Sequence, residues 1–173
     1  MSYGTVPKTL HWTVVCLLVL QFPLGWTMPR LAQGQAPGSL VRFHLSIGLT
    51  VLGVTLLRLF WRGTHPPPPY PHDLPAWQRR AAGAVHGLLY ALLLAAPAAG
   101  WVWASAKGWR VALFGLVRLP RPPIAGPKLA AFAAAAHEYL TTALLALVAL
   151  HVLAALYHAA VRRDDIVKRM LPR

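Results

Sequence analysis

Histidines crowd the ends of the chain's apolar runs. Residues 137–151 read HEYLTTALLALVALH, with an imidazole at each end, and ALYH adds another at His158. A lone imidazole in hydrocarbon leaves a donor and an acceptor unpaired, which costs several kcal/mol. His11, His44 and His86 stand in comparable apolar settings earlier in the chain. Imidazole can ligate a metal, bond across helices or relay protons. The identity of its partners is therefore the functional question.

Composition says what solvent surrounds these side chains. Of the 173 residues, 57% are hydrophobic and 12% are charged, against about 25% charged in an ordinary soluble domain. Mean hydropathy is +0.50. The chain therefore reads as an integral membrane protein. Acidic residues are Asp73, Glu138, Asp164 and Asp165 alone, against 17 Lys and Arg. The net charge of +13 does not indicate nucleic-acid binding, because the basic residues fall between apolar runs and form no single stripe. Cys16 lies inside the first apolar run and reads as a small buried side chain; one cysteine excludes an intrachain disulfide. That first run lacks a strongly basic start and a clear small-residue cleavage site, so it reads as a retained span.

About 20 apolar residues cross a bilayer as a helix. Four stretches qualify, at about 9–28, 41–61, 80–104 and 129–161, within one membrane domain covering 1–173. The expected fold is all-α, a four-helix bundle running up-down-up-down. THPPPPYPHDLP separates spans two and three as a stiff extended connector, because proline removes backbone donors. KGWRVALFGLVRLPRPP separates spans three and four and suits a short amphipathic segment in the interface.

The distribution of Lys and Arg favours cytoplasmic termini. The inner side would then hold Lys8, Arg58, Arg62, Arg79, Arg80, Arg162, Arg163, Lys168, Arg169 and Arg173. The outer side would hold Arg30, Arg42, Lys107, Arg110, Arg118, Arg121 and Lys128, with Glu138 the one acid nearby. Such a face would draw small anions toward it.

With this topology, His44 and His137 lie near the outer side, and His11, His151 and His158 near the inner side. Fourteen residues of helix rise about 21 Å and return to within about 40° of the same face, so His137 and His151 share a face at different depths. Each meets a histidine of another span at its own level. Facing imidazoles across a gap between helices are what axial ligation of haem iron requires, and a haem would satisfy the buried nitrogens. Zinc suits the pattern less, because its ligands converge at one level. No C-x-x-C-H is present, so haem b would be held without covalent links. Spacing leaves open whether His11 faces His151 or His158, and His86 lies at a compatible level.

The chain resembles the bacterial cytochrome b561 family over nearly its whole length. The matching pieces are LHW at 10–12, FHLSIG at 43–48 with LLRLFWR after it, HGLLYALLLAAPAAGW at 86–101, KGW at 107–109, FGL at 114–116, HEYL at 137–140, HVLAALYH at 151–158 and the closing DDIVKRMLP. The resemblance implies a four-helix dihaem protein of the bacterial inner membrane, with His11 and His151 on the inner haem and His44 and His137 on the outer one. It leaves His158, and secondly His86, for a quinone headgroup. Arg42, Arg58 and Arg80 are candidates for haem propionates, and Glu138 could orient His137.

The expected activity is that of a superoxide:ubiquinone oxidoreductase, passing electrons between an outer donor and the quinone pool. Two other functions fit the same residues. One is an anchor subunit that takes electrons from a dehydrogenase partner. The other is a cofactor-free protein whose histidines conduct protons or metal ions.

Overall fold

The computed structural model describes residues 3–29, 31, 34–69, 74–122 and 126–171. Arg30, Asp73, Arg173 and the middle of the proline-rich connector lie outside the described residues. Four long helices carry the fold: α1 (Thr5–Thr27), α2 (Ser39–Thr64), α3 (Ala76–Ala106) and α4 (Pro127–Leu156), the last continued by a π-helical turn, Tyr157–Arg162. Each is long and apolar enough to cross a bilayer. Between 6% and 28% of each most apolar window is buried inside the protein, so most of that surface needs lipid as its solvent. The molecule is a four-helix membrane bundle.

Each helix begins a few residues before the apolar run that predicts it. Helical hydrogen bonding continues through polar flanks such as Thr5–Lys8 and Ala76–Arg79, which hydropathy excludes. Proline enforces several of the ends: α1 stops before Pro29 and α2 before Pro66. The end of α3 is a Schellman cap, with Trp109 N–H on Ala104 C=O and Gly108 N–H on Ser105 C=O, both at 3.0 Å. Gly108 supplies the positive φ of +79° that this cap needs.

The α3–α4 connection departs from the expected interfacial segment. It contains an antiparallel hairpin, β1 (Ala112–Leu113) with β2 (Val117–Arg118). Phe114 and Gly115 both take positive φ, the type I′ pattern whose twist matches a hairpin. Ser46 of α2 docks it. Its Oγ accepts from Phe114 N–H at 3.0 Å and lies 3.2 Å from the Ala112 carbonyl.

Val14, Ile47, Val51, Leu93 and Leu144 form the buried core, so all four helices meet near the middle of the bundle. Neighbours in sequence pack together, α1 on α2, α2 on α3 and α3 on α4. Among the described residues, α4 does not come into close backbone contact with α1 or α2. Cys16 is exposed on α1 rather than buried: its side chain faces away from that core.

Candidate functional site

The gaps between α4 and its non-neighbours are where the histidines stand. His11 of α1 and His151 of α4 face each other with ring centroids 6.4 Å apart. His44 of α2 and His137 of α4 do the same at 6.3 Å. The first pair lies toward the end of the bundle that carries the termini, the second toward the hairpin end. A metal bound by two opposed imidazoles at about 2.0–2.1 Å per nitrogen places the ring centres about 6.3 Å apart. Both pairs have that separation.

The remaining nitrogens fit the same use. His137 Nδ1 donates to the Ala96 carbonyl at 2.8 Å, which leaves Nε2 as the nitrogen available to a ligand. Such a bond fixes the tautomer and orientation of a ligating histidine. Buried Nδ1 atoms of His11 and His44 have no hydrogen-bond partner among the described residues. Gln21 Nε2 donates to the His44 carbonyl at 3.2 Å and lies 3.2 Å from its Nε2. The donor type, a pair of facing imidazoles on different helices, suits haem b at each level.

Glycines seat both hairpin-end rings. A Cβ on Gly100 would lie 2.9 Å from two atoms of the His137 ring, and one on Gly25 would lie 3.4 Å from His44 Cε1. A proline interrupts each seating helix nearby, Pro97 in α3 and Pro23 in α1. Sequence reading passed over Gly25, Gly100 and Gln21. The small residues Ala96, Gly100 and Ala104 recur at every fourth position, which is the available signal for close approach between membrane helices.

The other candidates fall into separate groups. His86 stands 5.4 Å from His151, nearer than the members of either facing pair stand to each other. The Arg58 guanidinium lies 5.5 Å from the Tyr90 ring centroid, within electrostatic reach of His11, His86 and His151. Arg80 and Glu138 are exposed. His158 is turned toward Asp164, with Nδ1 2.6 Å from Oδ2.

Arg42 lines a cavity of about 380 Å³ at the hairpin end, together with Lys107 and Arg110. Lys107 Nζ stands 5.0 Å from the centroids of both Trp103 and Trp109. The Trp103 ring is in turn 6.2 Å from that of His137. One tryptophan therefore connects the basic cavity to the hairpin-end histidine pair.

Comparison with known proteins shows the family to which the chain is related. The family described as prokaryotic cytochrome b561 matches residues 2–173. Cytochrome b561 homolog 2 of Escherichia coli (strain K12) is 33% identical over 175 residues, covering 98% of this chain and 90% of that protein. Cytochrome b562 of Cereibacter sphaeroides is 28% identical, covering 98% and 95%. A probable superoxide oxidase, CybB, of Yersinia pestis is 28% identical, covering 99% and 97%.

Proposed function

Because the chain belongs to the prokaryotic cytochrome b561 family, whose members are membrane electron-transfer proteins binding haem b, we propose that it oxidises superoxide at one face of the bilayer and reduces ubiquinone at the other. Two haems b, when bound, supply one-electron storage at two depths. His11 and His151 hold one, His44 and His137 the other. The observation carrying this reading is that both pairs bridge helices lacking close backbone contact, 6.4 and 6.3 Å apart.

The choice of donor rests on the basic cavity. Arg42, Lys107 and Arg110 present three positive side chains around a space suited to a small anion. Trp103 lies between Lys107 and His137, so the cavity adjoins the hairpin-end site. The similarity to a probable superoxide oxidase supports the same donor. With the termini cytoplasmic, as the count of Lys and Arg favours, the cavity faces outward and His158 faces the inner leaflet. Arg58, close to the terminal-end cluster, is suited to a propionate there.

Two superoxide anions would give up one electron each, releasing two dioxygen molecules. One quinone takes both electrons and two protons to become quinol. The test uses purified protein in liposomes, with an enzymatic superoxide source and a short-chain ubiquinone. Superoxide-dependent quinol formation that His44→Ala abolishes supports the proposal. Quinone reduction that proceeds only with an added dehydrogenase partner would replace it with the anchor-subunit reading.

A further inference from the structure

The terminal end holds a second, differently built imidazole site. There α4 widens into the π-helical turn Tyr157–Arg162, and Arg163 follows in the left-handed region with φ of 54°. This reversal carries the chain back on itself, so that Asp164 N–H bonds the His158 carbonyl at 3.2 Å. It also sets the Asp164 carboxylate against the His158 ring, where Nδ1 donates to Oδ2 at 2.6 Å. An ionised carboxylate only accepts hydrogen bonds, so the contact places a proton on Nδ1 and leaves Nε2 as the exchangeable nitrogen.

The carboxylate itself is held from two further directions. Its Oδ1 accepts from Ile166 N–H at 3.2 Å, and Arg162 Nε lies 3.5 Å from Oδ2. Arg162 also donates to Gln78 Oε1 of α3 at 3.0 Å, tying the turn to the bundle. Both His158 and Asp164 side chains are 16% exposed, so the pair is shielded but not sealed. His158 Nε2 has no protein hydrogen-bond partner among the described residues and is not fully buried. Asp165, the next residue, behaves differently: it is 77% exposed and bonds Lys168 at 2.8 Å. Of two adjacent acids, one faces water and the other is fixed on a histidine.

We propose that His158 and Asp164 form a proton-delivery pair for the quinone, with Asp164 as the residue that positions His158. This rests on quinone reduction at the terminal end. His158, protonated on both nitrogens, gives its Nε2 proton to one quinone carbonyl oxygen as the quinone gains its two electrons. The ring returns to the neutral Nδ1–H form and recovers a proton from water. The second carbonyl oxygen takes its proton from water directly. The negative charge of Asp164 compensates the cationic ring between turnovers.

The experiment measures oxidation of the dithionite-reduced holoprotein by a short-chain ubiquinone, which requires no superoxide. Asp164→Asn keeps the shape and removes the charge. It should lower the limiting rate of haem oxidation about tenfold or more, with the half-saturating quinone concentration changed less than about twofold, as expected of lost acid catalysis rather than lost binding. Haem content and spectrum should stay as in the parent protein. Asp164→Glu should restore most of the rate, and Asp165→Asn should leave it unchanged. An unaffected Asp164→Asn variant, or one whose loss comes with loss of haem, overturns the proposal alone. Haem-loaded parent protein that ubiquinone cannot oxidise overturns both the pair and the quinone reading.

Discussion

The His137 ring rests on Gly100, with no room for a methyl group between them. A Cβ at residue 100 would stand 2.9 Å from both Cε1 and Nδ1, while Ala96, one turn earlier, accepts the ring's hydrogen bond at 2.8 Å. The helix beside α4 thus supplies both the seat and the tether of one proposed ligand. Gly100→Ala must displace the ring or separate the helices. We expect it to remove at least half of the hairpin-end haem and to alter one of two low-spin ferric signals in electron paramagnetic resonance. Gly53→Ala on α2, where nothing lies within 4 Å, is the control and should retain both.

Ser46 joins α2 to the hairpin two residues after His44. Ser46→Ala would leave Phe114 N–H without its 3.0 Å acceptor and remove the contact with the Ala112 carbonyl. Loss of a partly buried bond of this kind costs about 1–3 kcal/mol. Hydrogen exchange across residues 112–118 should rise, with the four helices unchanged. Unaltered protection there would show that the hairpin is held by other contacts.

Lys107 and Arg110 supply two of the three cationic side chains around the hairpin-end cavity. Replacing both with Gln should lower kcat/KM for superoxide roughly tenfold at low salt, within the range expected of electrostatic steering. The parent rate should fall with added salt, and the two proteins should converge as screening grows. A parent rate indifferent to salt would exclude steering.

The four spans were legible because lipid leaves a composition signal that needs no tertiary context: long apolar runs bounded by proline and charge. Their ends were less so. Residues such as Arg62–Thr64 prolong α2 beyond its apolar run by local hydrogen bonding alone. The hairpin was not legible, since its turn needs Phe114 at positive φ, a conformation that residue seldom favours. Cys16 misled because a membrane span exposes apolar side chains outward as readily as it buries them. For the site, depth on a helix ranked the histidines by level. Depth could not separate His151 from His158 as the partner of His11; the His11 and His151 rings stand 6.4 Å apart, whereas His158 is turned toward Asp164. Gly100 was hidden within an alanine-rich run, where its importance comes from a ring on another helix.

The most direct test is the number of haems per chain, read from the reduced-minus-oxidised spectrum and from extracted haem, across a histidine series. The parent protein should carry two haems b. His11→Ala and His151→Ala should lose the same one, His44→Ala and His137→Ala the other, and His86→Ala should keep both. A colourless protein that takes up no haem would contradict the account and return the histidines to proton or metal conduction. Loss of a haem in His86→Ala, but not in His11→Ala, would contradict the pairing.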